Sequence, residues 1–424
     1  MFNPQAPDSI KPLYLMQLAG NNLSNHLFEA VVIGAGPAGL ATMACLMDNS
    51  PAMSEKPPAA LPFLWIDPEF NSGRLYKYPL VPSNTRVNLF VKYAKLSPCL
   101  SKLFDAIPSA KALTEELNPD EGCQLIYAAN MVKELTGSLL KQFGQNLIHQ
   151  VKDHVTELSR PVAADSWKIT TESGSTFNAR KVYLATGSYP RPPNATLMAP
   201  FKGFIDLEDA LNPDVLKNII RDKKSLAVFG SSHSAMLVLY NICSLLDQEV
   251  KLLSLFNFYK SPLIFAKYLK TDVSVPTILH DNTGLKGKVA DWVRTWSNDE
   301  DESPASCRRD VALCSGLTLH RIRCTAQTDV AAYGIDNAVF AIGYDPNPIP
   351  RILYQDAVIS SAKHLDYSAE GELFIKQDST RLRCLYGVGI AFPERIIDAD
   401  GSREEAVGMY KFMRYISKIV KLHQ

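Results

Sequence analysis

The sequence predicts an α/β protein built from two Rossmann-like, dinucleotide-binding units, the second inserted into the first, together with a small antiparallel β-meander. Three observations predict it. An apolar run leads without a gap into Gly-x-Gly-x-x-Gly and then into helix-forming residues, a degenerate copy of that arrangement recurs in the middle of the chain, and the stretch between them alternates apolar and polar residues. With 424 residues, 46% hydrophobic and 21% charged, the chain is long enough and apolar enough to bury more than one core.

The first unit opens at Glu29–Leu40, which reads as strand, tight turn and helix start. Gly34 permits the turn, Gly36 lets backbone approach a pyrophosphate, and Gly39 lets helix and strand pack closely. Pro37 and Ala38 begin the helix, whose free N–H groups and positive dipole end attract phosphate. The helix is expected over Ala38–Met47, and a Pro/Ala/Ser-rich loop from Ser50 to Pro62 follows it. Leu61–Asp67 is then a buried strand. Asp67, before Pro68, is either the acid that takes ribose hydroxyls, at roughly 28 residues past Gly39, or a turn aspartate.

Helical patterns fill Val87–Phe104 and Asn130–Phe143, and the meander is expected between Asn146 and Tyr183 with a turn at Glu172–Ser175. It feeds a strand that stops at Thr186-Gly187 and leaves through Pro190–Pro193. The second unit begins at Leu226–Ala235, where Gly230 matches Gly34, Ser232 stands at the second glycine and Ala235 at the third. Ser231, Ser232, His233 and Ser234 are its candidate nucleotide-binding residues. The Ser232 hydroxyl either bonds a pyrophosphate or crowds it, and His233 reads as a polar helix-opening residue rather than a catalyst. No acid ends the strand expected at Val250–Leu253, while Lys260 offers a cation for a 2′-phosphate.

Asn298–Arg309 is a charged, exposed excursion, Asp336–Asn347 returns to strand and turn, and Leu385–Ala391 is a last short strand. A capping box, Ser402 with Glu405, starts the final helix, whose apolar face is expected to run through Val407, Tyr410, Met413, Ile416 and Val420 and to pack on the sheet. The resulting division is an N-terminal extension (1–27), a first unit (28–200 and 335–424) and an inserted second unit (201–334).

Lys+Arg and Asp+Glu both number 44, so no overall field favours nucleic acid or an anionic membrane. No apolar run is long enough to span a bilayer, residues 1–25 lack the pattern of a secretory signal, and a cytoplasmic location is the expectation. The eight cysteines and eight histidines are scattered, with no Cys-x-x-Cys or His-x-x-x-His, so neither a redox dithiol nor a metal is expected. The oligomeric state is not written in the sequence.

From Val31 to about Val420 the order of motifs resembles the two-dinucleotide-binding-domain flavoproteins, closest to the flavin-containing and N-hydroxylating monooxygenases. The carriers are Gly34-x-Gly36-x-x-Gly39, Asp67, Ala185-Thr186-Gly187, Gly230-x-Ser232-x-x-Ala235 and Phe340-Ala341-Ile342-Gly343-Tyr344. The resemblance implies that the first motif holds the ADP part of FAD, that the second binds NADPH (or NADH), and that the strands before Gly187 and Tyr344 mark crossings between the units. Asn71–Tyr76 and Ser83–Val87 look like the segments that run beside the isoalloxazine in that family. On that match Arg74 and Leu75 border the flavin, and Asn84 is the catalytic candidate, an amide near flavin C4a. From the residues alone, Asn84 also suits an Asx turn or a helix N-cap, and Arg74 a solvent-facing site. Two departures stand out: Phe201-Lys202-Gly203 is followed by Leu207 where the monooxygenase fingerprint has histidine, and the reductase-type Gly-Asp appears as Gly389-Ile390.

The resemblance implies an FAD enzyme that takes hydride from NAD(P)H and hydroxylates a small-molecule substrate through an oxygen adduct of the reduced flavin. A flavin electron-transfer or quinone-type reductase, and a flavin-binding regulatory protein with a degenerate nicotinamide site, are the alternatives the departures leave open.

Overall fold

The computed structural model describes residues 26–50, 62–144, 146–246, 254–269, 277–297, 308–313, 317–355, 357–398 and 400–423. The expected N-terminal extension, the Ser50–Pro62 loop, the Val250–Leu253 strand and most of the Asn298–Arg309 excursion lie outside these residues.

Two sheets organise the chain. At the centre of the first, Leu27–Ile33 runs parallel to Phe63–Ile66 on one side and to Thr176–Leu184 on the other, and Ile148–Val151 extends the sheet beyond Phe63–Ile66. Thr176–Leu184 serves two partners. Its first half pairs antiparallel with Trp167–Thr171, Trp167 opposite Ala179, and its second half pairs parallel with Arg381–Gly387, Leu385 opposite Val182. One nine-residue strand thus carries the meander into the parallel sheet. The expected turn at Glu172–Ser175 joins these meander strands, but Ile148–Val151 belongs to the parallel sheet and not to the meander.

The second sheet has the order Gly203–Ile205, Asn337–Phe340, Ser225–Phe229, Ser254–Tyr259, Thr318–Arg323, all parallel, with Arg308–Ala312 antiparallel at its edge. Asn337–Phe340 lies inside this sheet, so the chain leaves the second unit after Phe340 and not at residue 335. The strand described after the second glycine turn is Ser254–Tyr259, and Arg308 and Arg309 form strand.

Between the sheets the chain crosses twice. Ser188–Pro190 on the way out and Tyr344–Pro346 on the way back pair antiparallel as a ribbon of their own.

The helix expected over Val87–Phe104 is two, Val87–Leu96 and Pro98–Phe104. Pro98 forces the break, and the Ser97 hydroxyl accepts from Leu100 N–H to cap the second. The helix expected from Asn130 starts earlier, at Leu125. The final helix is Met409–Leu422 and begins seven residues beyond Ser402. Ser402 caps no helix. Its backbone N–H and hydroxyl both donate to Asp400, and Arg403–Ala406 pairs with Glu394–Ile397 as a hairpin. The local burial has a period of two, with Glu404 and Ala406 inside, so strand geometry displaces the capping box. Val407 is accordingly exposed, while Phe412, Met413, Ile416, Ile419 and Val420 pack chiefly on the helices Pro37–Asp48 and Val87–Leu96, in one core with the sheet residues Val32, Tyr183 and Tyr386.

Candidate active site

The site grows from the first glycine turn. Strand Leu27–Ile33 is buried on both faces, and its register sets Gly34 beside Ala185 at the end of the neighbouring strand. Gly34 has φ +108°, and a Cβ there would overlap the carbonyl oxygen of Ala185. A Cβ at Gly39 would overlap the carbonyl oxygen of Gly34, so turn and helix close on each other only without side chains. Gly36 differs, because a Cβ would meet nothing nearer than Gly73 Cα and Ser72 O at 3.8 Å. Its constraint comes from what binds, not from the fold.

Helix Pro37–Asp48 opens with Pro37 at its start, no side-chain cap and no acid in its first turn, which leaves its positive end to an anion. Ala38 meets Gly389, where any Cβ would collide with it. Asp67 stands at the strand end as expected and is engaged by backbone: Oδ2 accepts from Ala35 N–H at 2.7 Å, and Oδ1 accepts from Glu69 N–H at 2.8 Å and Phe70 N–H at 2.6 Å. The carboxylate therefore ties the glycine loop to the next strand and shapes the turn at Pro68, which is exposed. Around this cradle, Thr186 Oγ1, Ser72 Oγ and Asn71 Oδ1 are buried without a hydrogen-bond partner. Gly-only backbone, an uncapped helix end and orphaned polar atoms on the flanking segments fit the diphosphate and sugar of a dinucleotide.

The second turn repeats the first. Gly230 has φ +125°, and its Cβ would overlap the carbonyl oxygen of Ala341, as Gly34 does with Ala185. Ala341 N–H donates to Phe229 O at 2.9 Å, matching Ala185 N–H to Ile33 O at 2.9 Å. Ser232 is the exposed N-cap of helix His233–Leu245 and makes no capping bond, with Ser231 and Ser234 half-buried beside it. His233 opens the helix with both ring nitrogens buried and unpartnered, and burial, reinforced by the charge of Lys286, pushes its pKa down to about 4. By register Phe258 corresponds to Ile66, so the position of Asp67 is taken by Tyr259, and exposed Lys260 follows it.

The remaining candidates lie on the seam between the units. Arg74 pairs with Glu208 of the second unit, and its Nε donates to Tyr78 Oη at 3.1 Å. Leu75 is half-buried against the first core. Tyr344 packs on the second core and its hydroxyl lies 3.5 Å from that of Tyr78, and Gly343, φ +104°, accepts from Arg191 N–H through its carbonyl. Asn84 is exposed on strand Pro82–Arg86, one residue from Ser83, whose carbonyl lies beside Gly287 at the start of helix Gly287–Arg294 of the second unit. Asn84 caps no helix.

Several seam residues escaped the sequence reading. Asn347 clamps the crossing, its side-chain N–H donating to Thr186 O at 2.7 Å and its backbone N–H to Gly187 O at 3.0 Å. Buried Glu404 accepts from Asn282 N–H, Asn282 Nδ2 and Thr283 Oγ1. Asp281 is held below the usual carboxylate range despite its burial, because Lys286 and Lys411 flank it. His280, Asp398 and Glu404 bring ligand-type atoms within 4.8 Å of one another, but Glu404 and Asp398 already accept from residues 280–283, so the group acts as a clasp. The partners are too distant in sequence for any local pattern to announce them.

Two glycine-turn units joined by a paired double crossing define a two-dinucleotide-binding-domain protein. The FAD-NAD(P)-binding family matches residues 31–189. The monooxygenase AgnR1 of Paecilomyces divaricatus is 33% identical over 405 residues, 92% of this chain and 96% of that one. Among solved structures, the flavin-containing monooxygenase from Stenotrophomonas maltophilia (13% identity, TM-score 0.54) and the ornithine N-hydroxylase of Kutzneria sp. 744 (14%, TM-score 0.54) share the fold, each covering 93% of this chain and 98% of its own. The chain belongs to the flavoprotein monooxygenase family: it is an FAD-dependent, NAD(P)H-using oxidoreductase. No helix among the described residues is long and apolar enough to cross a membrane.

Proposed function

We propose that residues 28–200 with those after Phe340 form the FAD unit, that the sheet from Gly203 to Phe340 is the NADPH unit, and that the substrate is hydroxylated at the seam between them. One observation carries this reading: the same glycine-turn geometry occurs twice, Gly34 against Ala185 and Gly230 against Ala341. FAD, when bound, supplies the two-electron chemistry that links NAD(P)H to oxygen.

The chain supplies position. Gly34, Gly36 and Gly39 with the Pro37–Ala38 helix start hold the diphosphate, Thr186 and Gly187 border it, and Gly389 closes on Ala38. Ser231–Ser234 receive the nicotinamide nucleotide, with Lys260 placed one residue past the ribose position to meet a 2′-phosphate, which favours NADPH over NADH. His233 is neutral at pH 7, so it adds hydrogen-bonding capacity without charge. Asn84 offers an amide donor on the seam-facing strand, and a preorganised donor of this kind contributes about 3 kcal/mol where charge develops. Expression in the cytoplasm suits this reading.

The test is an absorbance spectrum of purified protein followed by anaerobic NADPH addition. A flavin spectrum that NADPH bleaches, with oxygen consumed on re-aeration, is the expected result. Colourless protein that refuses added FAD overturns the cofactor assignment, and rapid reduction of a dye with negligible oxygen uptake overturns the hydroxylation in favour of a reductase.

A further inference from the structure

Asn84 and Arg86 stand two apart on strand Pro82–Arg86 and are both exposed, whereas Ser83 is buried. The Arg86 guanidinium lies 5.4 Å from the centre of the Tyr268 ring. Tyr268 is 50% exposed on the hairpin strand Lys267–Leu269 of the second unit, with Leu269 and Ile264, also exposed, close by in the chain. A cation and an apolar rim from opposite units therefore meet next to Asn84.

Three other cations along this seam are already paired. Arg74 pairs with Glu208, and Lys286 and Lys411 share Asp281, while Arg86 has no carboxylate partner among the described residues. Stacking on an aromatic ring occupies the face of a guanidinium and leaves its in-plane N–H fork available, the geometry that a carboxylate matches with two parallel hydrogen bonds. An exposed tyrosine beside aliphatic side chains complements a flat apolar body.

We propose that Arg86 and Tyr268 form the substrate-recognition rim and that the substrate is an aromatic carboxylic acid, its carboxylate held by Arg86 and its ring against Tyr268. The inference rests on the reading of the Asn84 face as the place of oxidation. Arg86 and Tyr268 are positioning residues, since the rim orients the ring toward that face and takes no part in bond making.

The test is direct binding. 1-Naphthoate and its neutral isostere 1-naphthamide are titrated calorimetrically into the full chain, with and without added FAD. Naphthoate is expected to bind at least about tenfold tighter than the amide, as one charge-assisted hydrogen bond provides. Arg86→Gln should abolish that preference, Arg86→Lys should restore part of it, and Tyr268→Ala should weaken both ligands. Equal affinity for acid and amide, binding of neither, or a preference that survives in Arg86→Gln overturns the proposal. If Arg86→Gln fails to fold, as judged by circular dichroism, an unchanged naphthoate affinity in Tyr268→Ala overturns it instead. Failure to take up FAD concerns the cofactor assignment alone, because the acid-over-amide preference is read in both samples.

Discussion

The two glycine turns solve one geometric problem with different residues. In both, a left-handed glycine passes under the carbonyl of a neighbouring strand, Ala185 for Gly34 and Ala341 for Gly230. Beyond that shared contact they diverge. The first has Gly36, Gly39 and an acid at the strand end, and the second has Ser232, Ala235 and Tyr259. The difference separates the demands of the fold from the demands of the ligand: backbone crossing fixes the first glycine in each unit, while the later positions follow how closely the helix packs and what it must hold.

The sharpest way to break the comparison is to exchange the third position. Gly39→Val places a side chain on the carbonyl of Gly34 and should cost several kcal/mol, enough to lose soluble protein, whereas Ala235→Gly should cost about 1 kcal/mol in helix propensity. Thermal melts of the two variants measure the contrast, and comparable losses would show that the two helices pack alike after all.

Next comes the second position. Gly36→Ala has room in the protein for its Cβ, so it should fold with an unchanged melt of the apoprotein yet retain little flavin, while Ser232→Val should keep its flavin and bind NADPH at least about tenfold more weakly. Flavin content and NADPH titration read the two losses separately. If both variants lose the same cofactor, the assignment of one nucleotide to each turn is wrong.

The strand-end acid has a smaller effect. Asp67→Ala leaves the N–H groups of Ala35, Glu69 and Phe70 without their acceptor, and a destabilisation of about 1–3 kcal/mol in chemical denaturation is expected. The effect should appear in apoprotein as well as in flavin-loaded protein, since the carboxylate works on the loop itself.

A pH dependence shared between the units completes the comparison. His233 in the second and His423 in the first are both pushed down to about 4, mainly by burial, from an ordinary 6.5. As pH falls the unfolded chain takes these protons first, so the stability is complete above about 6.5 and is lost progressively down to about 4. His233→Gln and His423→Gln should each flatten the fall in melting temperature across that window. A slope identical to the parent in both variants would remove the imidazoles from the account.

Much of this was legible in the sequence because it is local. Gly34, Gly36 and Gly39 declare themselves by spacing, and the degenerate copy at Gly230 by alignment with them. The strand at Asn337–Phe340 was readable as a strand but not as a member of the second sheet, because membership is decided by Ser225–Phe229 and Gly203–Ile205, far away in the chain. Ser402 and Glu405 met every local condition for a capping box, and a hairpin partner at Glu394–Ile397 overrode them. Arg74 was readable as a cation near the flavin segment, yet its charge is taken by Glu208 across the seam.

The ribbon of Ser188–Pro190 against Tyr344–Pro346 has a consequence of its own. Because the inserted unit enters and leaves through one hydrogen-bonded pair of strands, its ends lie side by side. Excision between Arg191 and Gly343 is expected to leave ends that a short turn can join, and it also removes Glu208, Asp281, Asn282 and Thr283, the partners of Arg74, Lys411 and Glu404.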